Sequence, residues 1–139
     1  MESFRAQLTV EELLDLNQRF PPSRGSSDIG KRAVEIMKLH FRRLHPGCSF
    51  VSPHPGADLA LLVGPVPAQY EVKGTADKGI AWQQLKVSSR ASYELLSTCA
   101  ASVLRVTSVF SDEPLVYELR CGVDFTLEPE ARWCVKPVR

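Results

Sequence analysis

Two short apolar runs, Leu59-Ala60-Leu61-Leu62-Val63 and the run closing on Tyr70-Glu71-Val72-Lys73-Gly74, flank Gly64-Pro65-Val66-Pro67. Glycine tolerates unusual dihedrals and proline presets its own, so these four residues favour a reversal of the chain. The pattern predicts a β-hairpin. Its register decides what it displays. A loop confined to Gly64-Pro65 sets Val63 against Val66 and Asp58 opposite Glu71; a loop of all four residues sets Asp58 opposite Lys73 instead. Side chains alternate with a period of two along a strand, so both registers put Asp58, Glu71 and Lys73 on one face. A slip of one residue would separate them.

Two carboxylates and an ammonium at one end of a hairpin suit metal-assisted hydrolysis of a phosphodiester. Hard cations such as Mg2+ take a few carboxylate oxygens and keep several waters. Asp58 and Glu71 supply such oxygens, with the backbone carbonyl of Val72 as a further donor. A bound ion polarises a phosphate and lowers the pKa of a water. Lys73 is placed to orient that water and to offset charge developing on the phosphate.

Asp58 followed by Glu71-x-Lys73 resembles the PD-(D/E)XK nuclease superfamily, the restriction-endonuclease-like fold. The longer pattern Gly56-Ala57-Asp58, Tyr70-Glu71-Val72-Lys73-Gly74-Thr75 and Lys86-Val87-Ser88-Ser89-Arg90 is similar to the NO VEIN carboxy-terminal domain branch of that superfamily. The similarity covers roughly residues 25 to 125. The usual proline before the first acid is replaced by Ala57, which leaves the ligands untouched. The resemblance implies an α/β fold with a restriction-endonuclease-like core, a central mixed β-sheet flanked by helices. It also implies a Mg2+- or Mn2+-dependent endonuclease acting on DNA, in a bacterial or phage defence or mobile-element system. An acid on the helix before the hairpin often leans into the metal site in this superfamily, which points to Glu35. A glutamine or lysine on the following strand or helix contacts a metal-bound water or phosphate there. Gln84, sharing a strand face with Lys86, is the choice here, with Gln83 the alternative.

The 139 residues match one domain able to bury a core, with 44% hydrophobic and 24% charged residues, ordinary for a globular protein. The net charge of +1 argues against holding nucleic acid by charge alone. Cys48, Cys99, Cys121 and Cys134 lack metal-ligand spacing, also when His40, His45 and His54 are included, and read as buried or partly buried free thiols of a reducing cytoplasm. No signal peptide or membrane span is legible, and the expected location is cytoplasmic.

Along the chain, Thr9-x-x-Glu12 opens a short helix over residues 9 to 20, which Pro21-Pro22 stops. Residues 1–24 lie outside the resemblance and read as an amino-terminal helical appendage that packs on the core or forms a docking surface; residues 25–139 read as the nuclease-like domain. A helix from Ser26-Ser27-Asp28 to about His45 carries an apolar stripe of Ile29, Ala33, Ile36, Met37, His40, Phe41 and Leu44. Lys31, Arg32, Glu35, Lys38, Arg42 and Arg43 occupy its other sides, where Glu35 is equally well read as a solvated partner of Lys31 or Lys38. Residues 48–52 read as a first strand and Ile80 to Val87 as a third. The polar loop between, Gly74 to Gly79, offers Thr75 and Lys78 as substrate contacts. A second helix starts near Ser88-Ser89-Arg90, and its amino terminus with Arg90 suits a phosphate. Lys86 joins these as a nucleic-acid contact. Residues 102–110 and Leu115 to Leu119 form two further strands about the turn at 111–114.

Two alternatives stand beside the nuclease: a non-catalytic nucleic-acid-binding or adapter module on the same fold, and an exposed Glu71–Lys73 strand pair of little energetic consequence. A double-strand cut needs two sites, so a working endonuclease of this size would form a homodimer or join a partner in a larger complex.

Overall fold

The computed structural model describes residues 1–22, 25–130 and 135–138. Cys134, expected to be a free thiol, lies outside the described residues. Cys48, Cys99 and Cys121 are free thiols, with Cys99 exposed rather than buried.

The elements run β1 (Glu2–Arg5), α1 (Val10–Arg19), α2 (Ser26–Leu44), β2 (Ser49–Val51), β3 (Leu59–Leu62), β4 (Ala68–Gly74), a 3-10 turn at Trp82–Gln84, α3 (Arg90–Ser97), β5 (Ala101–Thr107) and β6 (Leu115–Leu119). The strands form one mixed sheet in the order β1-β6-β5-β4-β3-β2. All neighbours are antiparallel except β4 and β5, which run parallel. The fold is α/β, with helices packed on a six-stranded sheet. Among the described residues no helix is long and apolar enough to cross a membrane.

The hairpin pairs Leu59 with Tyr70, Ala60 with Gln69 and Leu61 with Ala68. This is the register of the shorter loop, which brings Asp58 level with Glu71. Strand alternation then divides the sheet into two faces. One carries Leu59, Leu61, Val72, Leu104 and Val106 and packs against Ala33, Ile36, Met37 and Phe41 of the predicted stripe of α2, whereas Leu44 at the end of that stripe is exposed. The other carries Ala101, Val103 and Leu119 and packs against Leu96 of α3. At the end of β4 the helix comes very close: a Cβ on Gly74 would stand 2.9 Å from the Ala33 Cβ. Glycine there is the condition for α2 to lie flat on the sheet.

Residues 80–87 and Arg32 depart from expectation, while the amino-terminal segment packs on the core, one of the two outcomes expected for it. β1 completes the sheet edge beside β6, and Ala6 and Leu16 are core residues. The capping box of α1 forms as predicted, Thr9 accepting from the Glu12 amide while Glu12 accepts from that of Thr9. Residues 80–87 form no strand; Ala81 adopts a left-handed conformation and the chain turns through Trp82–Gln84. The alternating pattern there faces α3 and the carboxy-terminal segment, with Ile80, Leu85 and Val87 packed against the second core.

Arg32, expected on an outer side of its helix, is fully buried. Its Nε donates to the Val109 carbonyl at 2.8 Å, and Nη1 donates to Asn17 Oδ1 at 2.8 Å and the Phe20 carbonyl at 3.2 Å. The guanidinium also stacks over Phe110, 4.9 Å from the ring centroid. One side chain thereby joins α1, α2 and the segment after β5. Arg32→Lys cannot reproduce this planar fork and is expected to cost about 2 kcal/mol in denaturant unfolding. His40 stacks on Phe4 at 4.5 Å, and burial holds its pKa below the ordinary histidine value, as a core histidine requires.

Candidate active site

β4 places Glu71 and Lys73 two residues apart on the α3 face, beside Val103 and Arg105 of β5. Val72 between them points the other way into the α2 core. The Lys73 Nζ stands 3.1 Å from Glu71 Oε1. Glu71 is only 6% exposed, and its Oε2 has no hydrogen-bond partner. A buried carboxylate oxygen left unpaired is costly, since such atoms are almost always bonded in native proteins. Burial pushes the Glu71 pKa up, Lys73 pulls it down, and the neighbouring Asp58 carboxylate pushes it up again.

Asp58 is positioned by backbone at both ends. Its amide donates to the Tyr70 carbonyl and its Oδ2 accepts from the Val72 amide, both at 2.8 Å. The carboxylate is thus held against the strand that carries Glu71 while the residue remains exposed. The loop before it is anchored on α3. Ser89 caps that helix by accepting from the Ser92 amide, and the Ser92 hydroxyl donates to the Gly56 carbonyl at 2.8 Å.

The remaining predicted residues fall into different places. Glu35 is not brought to the site. It lies on α2, which covers the opposite face of the sheet, and is shared between Arg19 and Lys38 at 3.8 Å each. Thr75 is buried and its hydroxyl is occupied, donating to Gln84 Oε1 at 3.1 Å and accepting from the Asp77 amide, so it offers nothing to a substrate. Gln84 is off any strand, its amide nitrogen donating to Asp77 Oδ2 at 3.2 Å and its carbonyl accepting from Thr75 and Arg105. Its side chain braces the loop, while Gln83 is exposed. Lys78 is exposed on that loop. Lys86 pairs with Glu130 at 2.8 Å and Arg90 with Glu94 at 3.0 Å, both at the surface.

Arg105 is the residue that motif reading overlooked. It is 2% exposed, and its guanidinium donates to the carbonyls of Ile80 at 2.7 Å and Gly74 at 3.1 Å. It thereby pins both ends of the loop that follows Lys73. The signal was present: a charge inside Val103-Leu104-Arg105-Val106-Thr107 must find partners to be buried.

Among the described residues no group of three or more His, Cys, Asp and Glu side chains is placed to hold a metal. The donors present are two carboxylates and the nearby Val72 carbonyl. All are hard oxygens, and one carboxylate has an unpaired buried oxygen. That set fits Mg2+, which is commonly held through one or two carboxylates with water completing its shell. No protein-family model, curated protein or solved structure matches the chain.

Proposed function

We propose that this protein is a metal-dependent nuclease that hydrolyses DNA phosphodiester bonds on a restriction-endonuclease-like core. The observation that carries the reading is the state of Glu71: buried, raised in pKa, one oxygen on Lys73 and the other unpaired, beside a backbone-held Asp58. Unpaired buried atoms also occur on Asp28 and Arg32, so what sets Glu71 apart is the second acid beside it, which a structural ion pair does not need. The mixed six-stranded sheet with helices packed on it supports the reading at the level of fold class only. Fold alone assigns no activity, and the reading rests on the site.

Asp58 and Glu71, with the Val72 carbonyl, would hold Mg2+ or Mn2+. When bound, the ion supplies Lewis acidity and an activated water. Asp58 contributes a carboxylate whose orientation is set by the Val72 amide. Glu71 contributes one whose charge is little screened by water. Lys73 favours the charged form of Glu71 against the burial that disfavours it, and presents a cation where negative charge accumulates on the phosphate.

The test is cleavage of supercoiled plasmid, single-stranded DNA and RNA with Mg2+, with Mn2+ or with EDTA. Cutting is expected with metal only, and Lys73→Ala should lower it about 10²- to 10³-fold, as removal of one preorganised charge does. Metal-independent cutting, or full activity in the variant, would sink the reading. A non-catalytic nucleic-acid-binding module is the second reading, favoured by the departure of Glu35, which leaves two carboxylates at the site. It predicts no cutting and binding that survives Lys73→Ala.

A further inference from the structure

A cavity of about 840 Å3 opens on the α3 face, and Lys73 is part of its wall. Val103 and Leu119 of the sheet lie at its base, Trp82 comes from the 3-10 turn and Tyr93 from α3. These two residues are 46% and 51% exposed, although large aromatic residues are usually mostly buried. The size lies in the range of about 300 to 1,000 Å3 typical of small-molecule sites.

The charge pattern bears on what fits. Lys86 and Arg90 line the cavity, but each is matched by a carboxylate that lines it too, Glu130 and Glu94. A groove built to track phosphates would carry excess positive charge, and this one is balanced. Its distinctive content is instead an apolar base, two partly exposed aromatic residues and polar groups at the rim. That combination suits a flat, uncharged heteroaromatic group with hydrogen-bonding edges. Lys73, common to the cavity and the acidic pair, ties such a group to the place where a phosphate would react.

Resting on the nuclease reading, we propose that this cavity takes an unstacked nucleobase, so that the substrate is nucleic acid with a single-stranded segment. Bases inside a duplex are stacked and paired, and admitting one costs unstacking energy that a single strand has already spent. Stacking on Trp82 or Tyr93 is tolerant of base identity, since every base has a π face. Strand ends, flaps and gaps satisfy the same requirement.

Binding is measured by fluorescence anisotropy in EDTA, so that no chemistry intervenes. The probes are labelled oligothymidylate and oligouridylate of about 12 nucleotides, a typical single-strand site size, and a blunt duplex of equal length. Single strands are expected to bind at least about tenfold tighter than the duplex. Trp82→Ala and Tyr93→Ala should each weaken single-strand binding about 5- to 100-fold. Trp82→Phe, which keeps a ring, should retain most of it. Both residues are exposed, and an unchanged thermal midpoint confirms that the variants fold. Equal affinity for duplex and single strand, or wild-type binding by both alanine variants, overturns the proposal. Ring-dependent binding without metal-dependent cutting of any substrate would uphold the cavity and remove the nuclease. Duplex cutting lost in Lys73→Ala but normal in both ring variants would uphold the nuclease and remove the cavity.

Discussion

Glu71→Gln should make the metal-free protein more stable at neutral pH while abolishing metal-dependent cleavage. In the wild type burial works against the charged form of Glu71, one carboxyl oxygen is unpaired, and Lys73 compensates the other. Glutamine keeps an oxygen for Lys73 and removes the buried charge. The amide nitrogen that replaces Oε2 is itself unpaired there, so only the buried charge is removed, and a gain of about 1 kcal/mol is expected. For a chain of this length that is a rise of about 3 °C in Tm. The pH dependence follows from the raised pKa. An acid whose folded pKa exceeds its unfolded value favours the fold below the unfolded pKa. That contribution is lost as pH rises through the folded pKa. The advantage of the variant should therefore be small in acid, grow as pH passes upward through the Glu71 titration, and then level off. Mg2+ should raise the Tm of the wild type and leave the variant unmoved, with cleavage lower by on the order of 10³-fold. Metal binding in the wild type should strengthen over the same pH interval, because the ion competes with the proton. A destabilised variant that still responds to Mg2+ would mean that Glu71 is structural. Stability given up at one buried group is the usual signature of a working site.

Gly56→Ala should be among the most damaging single-methyl changes in the chain. Gly56 has a φ of +93°, a region that L residues rarely enter. A Cβ there would stand 2.5 Å from both the Ala91 carbonyl carbon and the Ser92 amide nitrogen. These are backbone atoms in the first turn of α3 and cannot rotate away as a side-chain tip would. Backbone strain of about 1 to 2 kcal/mol and overpacking of about 1 to 3 kcal/mol together give a loss of about 3 kcal/mol or more. The Ser92 hydroxyl bond to Gly56 would be stretched as well, and Asp58 lies two residues on. Cleavage should therefore fall further than the population of folded protein, measured at a temperature where both forms are folded. Gly64→Ala is the control. A Cβ at Gly64 meets nothing within 4 Å, and its stability should stay within about 0.5 kcal/mol of wild type. A loss below about 1 kcal/mol at Gly56 would show that the loop shifts to accommodate the methyl.

The two sets of residues around this site differ in how they could be read. Asp58, Glu71 and Lys73 were accessible because a strand has a period of two and the turn residues limit the register; the observed pairing is one of the two that those residues allow. The apolar stripe of α2 and the span of β6 followed from the same kind of local rule. Arg32 did not, and Glu35 did only in its pairing with Lys38, one of the two readings that helical spacing allowed. Both sit on α2 among charged neighbours, and helical spacing cannot tell which side meets α1 and which meets solvent. Arg32 is buried by partners 12, 15 and 77 residues away. Glu35 is excluded from the site by the choice of sheet face on which α2 packs.

Residues 80–87 mark the same boundary from the other side. Their alternation imitates a strand, yet β4 and β5 run parallel, and the chain between parallel neighbours must return to the starting end of the sheet. That return carries Trp82 and Gln84 out of the sheet and into the loop that Arg105 holds. Local sequence, acting through turn chemistry and hydrophobic period, determined the hairpin, the helices and the acidic pair with its lysine. Which strands lie side by side, which face each helix covers and which charges end up buried were decided by tertiary packing alone. Those outcomes depend on contacts between segments far apart in the chain, and no local period encodes them.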